Sequence, residues 1–218
     1  MLFFDRFRRS RPPLIQQSFD DVQLMLEVSH EMFLAATATL LENEILDINL
    51  KEKDAIINRK EQEVRRAVLD HLQSAPGWEL ELSLVLLCII QEAERLGDLC
   101  KTLAETSNMA HKVRVGPNVA PLRILRDRVV TMFEQTRSCF AEEDLQLARA
   151  VMEHNAIMKT QSADYLKALA HTMEVSANEA VLYSLAARMI GRTASHLSNI
   201  ASSIALPFDQ LRRAPTWT

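Results

Sequence analysis

Turn-forming residues are scarce: only four glycines and seven prolines punctuate 218 residues, and β-branched residues are thin between them. Sandwiches, barrels and doubly wound α/β folds all need more chain breakers than this. Long apolar runs are lacking too. The longest, Leu84–Ile90, has seven residues, far short of the roughly 20 that span a bilayer. Neither sign of charge dominates, since 25 Lys+Arg stand against 29 Asp+Glu for a net −4, which excludes the basic stripe of a general nucleic-acid binder. The three cysteines, Cys88, Cys100 and Cys139, are odd in number and show no CxxC spacing. With no secretory apolar core at the start, they read as reduced, mostly buried thiols of a cytoplasmic protein. There is no phosphate-cradling glycine loop, no GxGxxG, no GxSxG and no recognisable nucleophile–base arrangement; an enzyme is not expected.

What is present is an ordinary globular mixture, 48 % hydrophobic and 25 % charged, which excludes wholesale disorder and leaves an all-α chain as the economical reading. Ser18 followed by Asp21 resembles a capping box and predicts a helix running to about Asn43. A second is expected from about Asp47 to Ser74, stopped by Ala75-Pro76-Gly77, and a third from about Trp78 to Lys112. Val113–Pro121, with Gly116, Pro117 and Pro121, is the clearest internal break. Three more helices are expected at about Pro121–Ala141, Glu142–Thr172 and Ser176–Leu206.

Three helices, a break and three helices suggest a duplication. Asp54-Ala-Ile-Ile-Asn58 precedes Asn155-Ala-Ile-Met-Lys159 by 101 residues, and Glu94-Arg-Leu-Gly-Asp98 precedes Gly191-Arg-Thr-Ala-Ser195 by 97. The small difference in offset is about one helical turn, which a loop absorbs. The expected architecture is two tandem antiparallel three-helix bundles: a basic, aromatic segment 1–15, a first repeat 16–115, a second repeat 119–206 and a tail 207–218. A helix apolar all round, such as one containing Leu84–Ile90, must be covered on all sides, so the other bundle or a second subunit is expected to complete its burial.

On a helix, positions i and i+4 share a face. Glu94 therefore projects with Asp98, and Asp54 with Asn58. Packed antiparallel, these two helices would gather three carboxylates and a carboxamide. Such charges repel unless a cation lies among them, and oxygen donors suit Mg, Mn, Fe or Zn. The alternative is a solvated acidic face on which Arg95 neutralises Glu94. Gly97 costs its helix about 1 kcal/mol relative to Ala and marks a place where a neighbour or a ligand approaches closely.

Glu94-Arg-Leu-Gly-Asp98, followed by Leu103-Ala104-Glu105, resembles the Glu-Arg-hydrophobic-Gly-Asp signature of the PhoU family, and Asp54-Ala-Ile-Ile-Asn58 resembles that family's second-helix segment. The resemblance covers roughly residues 16–206. It implies an all-α, often homodimeric protein that represses the phosphate-starvation response between a phosphate-importing transporter and a sensor histidine kinase. It further implies iron or zinc at Asp54, Asn58, Glu94 and Asp98. A related role, as an accessory subunit of another phosphate transporter, stays open, as do a metal-dependent helical-bundle enzyme and a scaffold without a phosphate link.

The second half departs from the pattern. Asn155, Lys159, Gly191 and Ser195 include no carboxylate, so any metal is expected in the first repeat alone. His154, His196 and Asn199 lie near the lost motif, and each histidine is expected to be exposed or hydrogen-bonded rather than a ligand. Glu27-Val-Ser-His30 has the Glu-x-x-His spacing of di-metal bundles but occurs once, where such a site needs a pair. At the N-terminus, Leu2, Phe3, Phe4 and Phe7 alternate with four arginines. That suits either peripheral contact with an anionic membrane surface through residues 1–11 or a docked terminus with solvated arginines.

Overall fold

Pro13, not Ser18, opens the first helix. The computed structural model describes residues 11–75, 77 and 79–213, and α1 spans Pro13–Thr37 with proline in its first turn, where a missing N–H costs nothing. Ser18 is buried inside α1 and donates its hydroxyl to the carbonyl of Leu14 at 2.8 Å, so the Ser18/Asp21 pair is no cap. A π-helical turn, Ala38–Glu42, extends α1. Then follow α2 (Leu50–Ser74), α3 (Leu80–Ser107), α4 (Ala120–Glu142), α5 (Leu145–Ala170), α6 (Ala177–Ala205) and a 3-10 turn at Phe208–Gln210. No strand occurs among the described residues.

The remaining boundaries follow local chemistry. Asn49 caps α2 through the Glu52 N–H. Asp144 caps α5 by accepting from the N–H groups of Gln146 and Leu147, which moves that start past the expected Glu142 because Glu143 turns left-handed at φ 55°. Ser176 and Glu179 form a reciprocal capping box on α6. Between α3 and α4 the chain is non-helical through Gly116, whose φ of 95° suits glycine; α3 ends at Ser107, short of the expected Lys112, so the break opens five residues earlier and closes at Ala120.

Helices α1, α2 and α3 pack on one another, as do α4, α5 and α6. The two bundles also pack together, α3 against α6 and α1 against α4. Along the α1–α4 contact Phe19 stacks on Phe140 at 5.0 Å and His30 on Phe133 at 4.9 Å. Glu42 meets Arg123 and Arg126 farther along, so these helices are antiparallel. The same holds for α3 and α6, where Met109 meets Asn178 and Glu92 meets His196. Two faces of α3 are thus taken by its own bundle and a third by α6. The 3-10 turn lies against α3, and the Arg212 guanidinium donates to the carbonyl of Cys88 at 2.9 Å. The second bundle and the C-terminal segment add cover, so that Val85, Leu86, Ile89 and Ile90 are buried, whereas Leu84, Leu87 and Cys88 stay half-buried and the run is not covered on all sides. By length and composition, 13–42 is apolar enough to cross a bilayer, yet its Phe19, Val22, Leu26 and Phe33 are core residues of the bundles.

The N-terminal segment read as a membrane contact lies outside the described residues except for Arg11, which pairs with Glu143 and stacks 3.7 Å above the Phe19 ring. The three cysteines are free, and Cys100 and Cys139 are buried. Burial pushes the Cys139 thiol up to about 12 and raises that of Cys100 as well, so both stay protonated thiols.

The linker is fastened where α1 ends. The last carbonyls of a helix lack intrahelical partners and carry partial negative charge. Here Arg114 donates to the carbonyls of Leu40 at 3.0 Å and Thr39 at 2.5 Å, and Arg123 donates to that of Leu41 at 2.9 Å. Asn43, left-handed at φ 65°, exchanges two hydrogen bonds with the Arg114 backbone. Arg114→Ala is expected to lower the free energy of unfolding by about 1–3 kcal/mol. Arg114→Lys should restore only part, because an ammonium lacks the guanidinium fork; urea titration of the three proteins measures both.

Candidate functional site at the crossing of α2 and α3

Gly97 lets α2 approach α3. A Cβ built there would lie 2.8 Å from Ile57 Cδ1 and 3.4 Å from Asp54 Oδ1. The close neighbour anticipated from this glycine is therefore the second helix itself. The crossing places Asp54 of α2 beside the α3 turn that carries Glu94 and Asp98.

Asp54, Asn58 and Asp98 come together, but around an ammonium group. Lys101 Nζ lies 2.8 Å from Asp54 Oδ2 and 3.0 Å from Asp98 Oδ1. Asn58 donates to the same Asp54 oxygen at 3.1 Å. Arg95 stands 3.6 Å from both Glu94 Oε2 and Asp98 Oδ2. Among the described residues no group of three or more His, Cys, Asp or Glu is arranged to hold a metal ion. Of the four expected ligands, Asp54 and Asp98 hold the ammonium of Lys101, Asn58 donates to Asp54 and Glu94 faces Arg95; an ion between Asp54 and Asp98 would have to displace Lys101. Sequence reasoning missed Lys101, although its place three residues after Asp98 was a readable i, i+3 signal.

The electrostatics follow from these neighbours. Burial, together with the charge of Asp98, raises the Glu94 pKa, with Arg95 opposing. Burial works against the Lys101 charge, but hydrogen bonds to Asp54 and Asp98 prevail and raise its pKa. A lysine held protonated in this way serves as neither base nor nucleophile. Beside the cluster, a groove of about 290 Å³ is lined by Arg95, Asp98, Lys101, Glu105 and Arg192. Arg95 and Arg192 occupy the second position of the two matching five-residue segments, and the fold brings both to this groove.

At the corresponding place in the second half, the Ser195 hydroxyl is shared between two acceptors, the Gly191 carbonyl at 3.1 Å on its own helix and Asn155 Oδ1 at 3.3 Å. A Cβ on Gly191 would lie 3.2 Å from Ser162 Oγ, and Lys159 is exposed. His154 is hydrogen-bonded to Gln135 at 3.0 Å. His30 stacks on Phe133, and burial lowers its pKa, while Glu27 turns to Arg137 at 3.2 Å. The Glu27/His30 pair therefore does not converge on one point.

A further polar centre sits between the bundles. Glu92, with 6 % of its surface exposed, accepts hydrogen bonds from His196 and Asn199, each at 2.8 Å, and pairs with Arg212 at 2.9 Å. Burial alone would raise its pKa, but the hydrogen bonds from His196 and Asn199 and the charge of Arg212 outweigh that and lower it.

Gly97→Val forces γ-carbons into Ile57 and should cost about 1–3 kcal/mol, part of it recovered when Ile57→Ala is added, as thermal unfolding of the double variant will show. The depressed Glu92 contributes stability above its ordinary value of 4.5 that is lost as pH falls through its lower folded value; below both values the contribution is gone. Glu92→Gln should therefore be less stable than wild type near neutrality, with the difference narrowing in acid, as denaturation at a series of pH values will record.

Comparison with known proteins adds the following. The PhoU domain family matches the chain twice, at residues 16–107 and 122–204. The fold resembles PhoU from Pseudomonas aeruginosa, with a TM-score of 0.79 at 18 % identity over 88 % of this chain and 95 % of that one. It also resembles the phosphate transport system regulatory protein PhoU from Streptococcus pneumoniae, with a TM-score of 0.72 at 17 % identity over 87 % and 91 % of the two chains. No curated protein sequence matches it.

Proposed function

This chain belongs to the PhoU domain family, and from that premise we propose that it is a regulator of phosphate uptake and phosphate-starvation signalling that works by protein contact. The observation that carries the reading is the double match of one domain to both three-helix halves. The likeness in fold to a protein titled as a phosphate transport system regulator supports it. In this reading the protein is an adaptor, not a catalyst. It joins a phosphate transporter subunit to a sensor histidine kinase at the cytoplasmic face of the membrane, acts as a homodimer, and holds the starvation response down while phosphate is plentiful.

The physical form suits such a task. The contacts of α3 with α6 and of α1 with α4, together with the Glu92 centre between the bundles, make the two halves one block. A block of that kind presents different partners to each other with little rearrangement on binding. Asp54, Glu94, Asp98 and Lys101 are engaged in ion pairs.

Affinity purification of the tagged chain from phosphate-replete cells is expected to recover a phosphate transporter subunit together with a sensor histidine kinase. Deleting the gene should raise a phosphate-starvation reporter in the same medium. Recovery of a phosphate transporter without a kinase, with the reporter unchanged, would favour an accessory transporter subunit. Recovery of neither partner would overturn the adaptor reading.

A further inference from the structure

We propose that Lys101 is the resident cation of the acidic cluster at the α2–α3 crossing, and that its ammonium closes this cluster to zinc and iron. This holds whichever partners the protein contacts. Lys101 Nζ meets Asp54 Oδ2 and Asp98 Oδ1 at 2.8 and 3.0 Å, so the position between those two carboxylates is filled. A zinc ion bound to the same oxygens would sit about 2.0–2.2 Å from each and cannot share that space with the ammonium.

The ammonium also holds its place by connection. Lys101 lies three residues after Asp98 on α3, on the same helix face, so it is always at hand, whereas a metal must arrive from dilute solution and expel it. Arg95 adds a second cation beside Glu94 and Asp98. Three carboxylates thus face two fixed positive charges, and little remains of the repulsion that would draw in a metal.

The second half carries a matching observation. Asn155 and Ser195 stand where Asp54 and Asp98 stand in the first half, and Ser195 Oγ lies 3.3 Å from Asn155 Oδ1, its one proton shared with the Gly191 carbonyl at 3.1 Å. Each half thus ties its second helix to its third at this point with a polar link built from protein groups alone: an ammonium bridge in one, a neutral hydrogen bond in the other. The cluster in the first half is a structural link of the same kind.

The test is a titration of the full-length protein with zinc, and with ferrous iron under anaerobic conditions, followed by calorimetry and by metal analysis after dialysis. Wild type is compared with Asp98→Asn, with Lys101→Met, with Lys101→Arg and with Lys101→Met combined with Asp98→Asn; circular dichroism confirms that each is helical. Wild type and Lys101→Arg should retain no stoichiometric metal. Lys101→Met should bind zinc roughly tenfold or more tightly than wild type, and the added Asp98→Asn should abolish the gain. Stoichiometric metal in wild type that is lost in the single variant Asp98→Asn would overturn the proposal, even if Lys101→Met fails to fold. So would a folded Lys101→Met that binds zinc no better than wild type.

Discussion

Helix α3 is apolar on more of its surface than two neighbours can cover, and the rest of the molecule is arranged around that fact. A three-helix bundle offers any one helix two partners, whereas Val85, Leu86, Ile89 and Ile90 are all buried. The further cover is α6, itself the third helix of its bundle, and the relation is mutual: Leu197, Ile200, Ala201 and Ile204 of α6 are also buried. Area removed from water stabilises at about 25 cal/mol per Å², so separating the halves would expose two apolar helices at once. Two repeats joined by a short linker therefore behave as one body.

A carboxylate is placed within that contact. Glu92 is buried between the bundles, where an unpaired charge would be strongly destabilising, and His196, Asn199 and Arg212 supply the partners. Two of them come from α6 and one from the segment after it. The centre is thus complete only when the second bundle and the C-terminal segment are both in place. Apolar packing tolerates a sliding register; a buried acid with three directional partners does not, and it fixes how α3 and α6 are aligned.

The two halves differ in charge at the α2–α3 crossing and its counterpart. Asn155 and Ser195 stand where the first half has Asp54 and Asp98, and the bridging Lys101 has no charged equivalent, because Ser198 stands at the matching place. Once neither side of the contact is charged, a cation between them is unnecessary and the amide and hydroxyl bond to each other. The contact survives while its chemistry changes, which is how a structural link behaves when its two copies drift apart.

Much of this was legible in the sequence. Scarce breakers, the Gly116-Pro117 interruption and the paired segments around Asp54 and Asn155 led to six helices in two halves, because helix period and chain breaking are local properties. The start of α1 was misread at Ser18, since a serine that bonds back to its own helix carries the same letter as one that caps it. The loss of carboxylates from the second half was plain from residue identity alone. Which cation meets the first-half acids was not. Spacing shows that Glu94, Asp98 and Lys101 share a face, but only the crossing at Gly97 brings Asp54 to the same ammonium, and only the packing of α6 on α3 gives Glu92 its partners. The sequence by itself determined the helices, their pairing into repeats and the sign of the charge on each face. The tertiary structure decided which charges meet, because an ion pair between helices depends on distances of a few ångströms that no periodicity along one chain encodes.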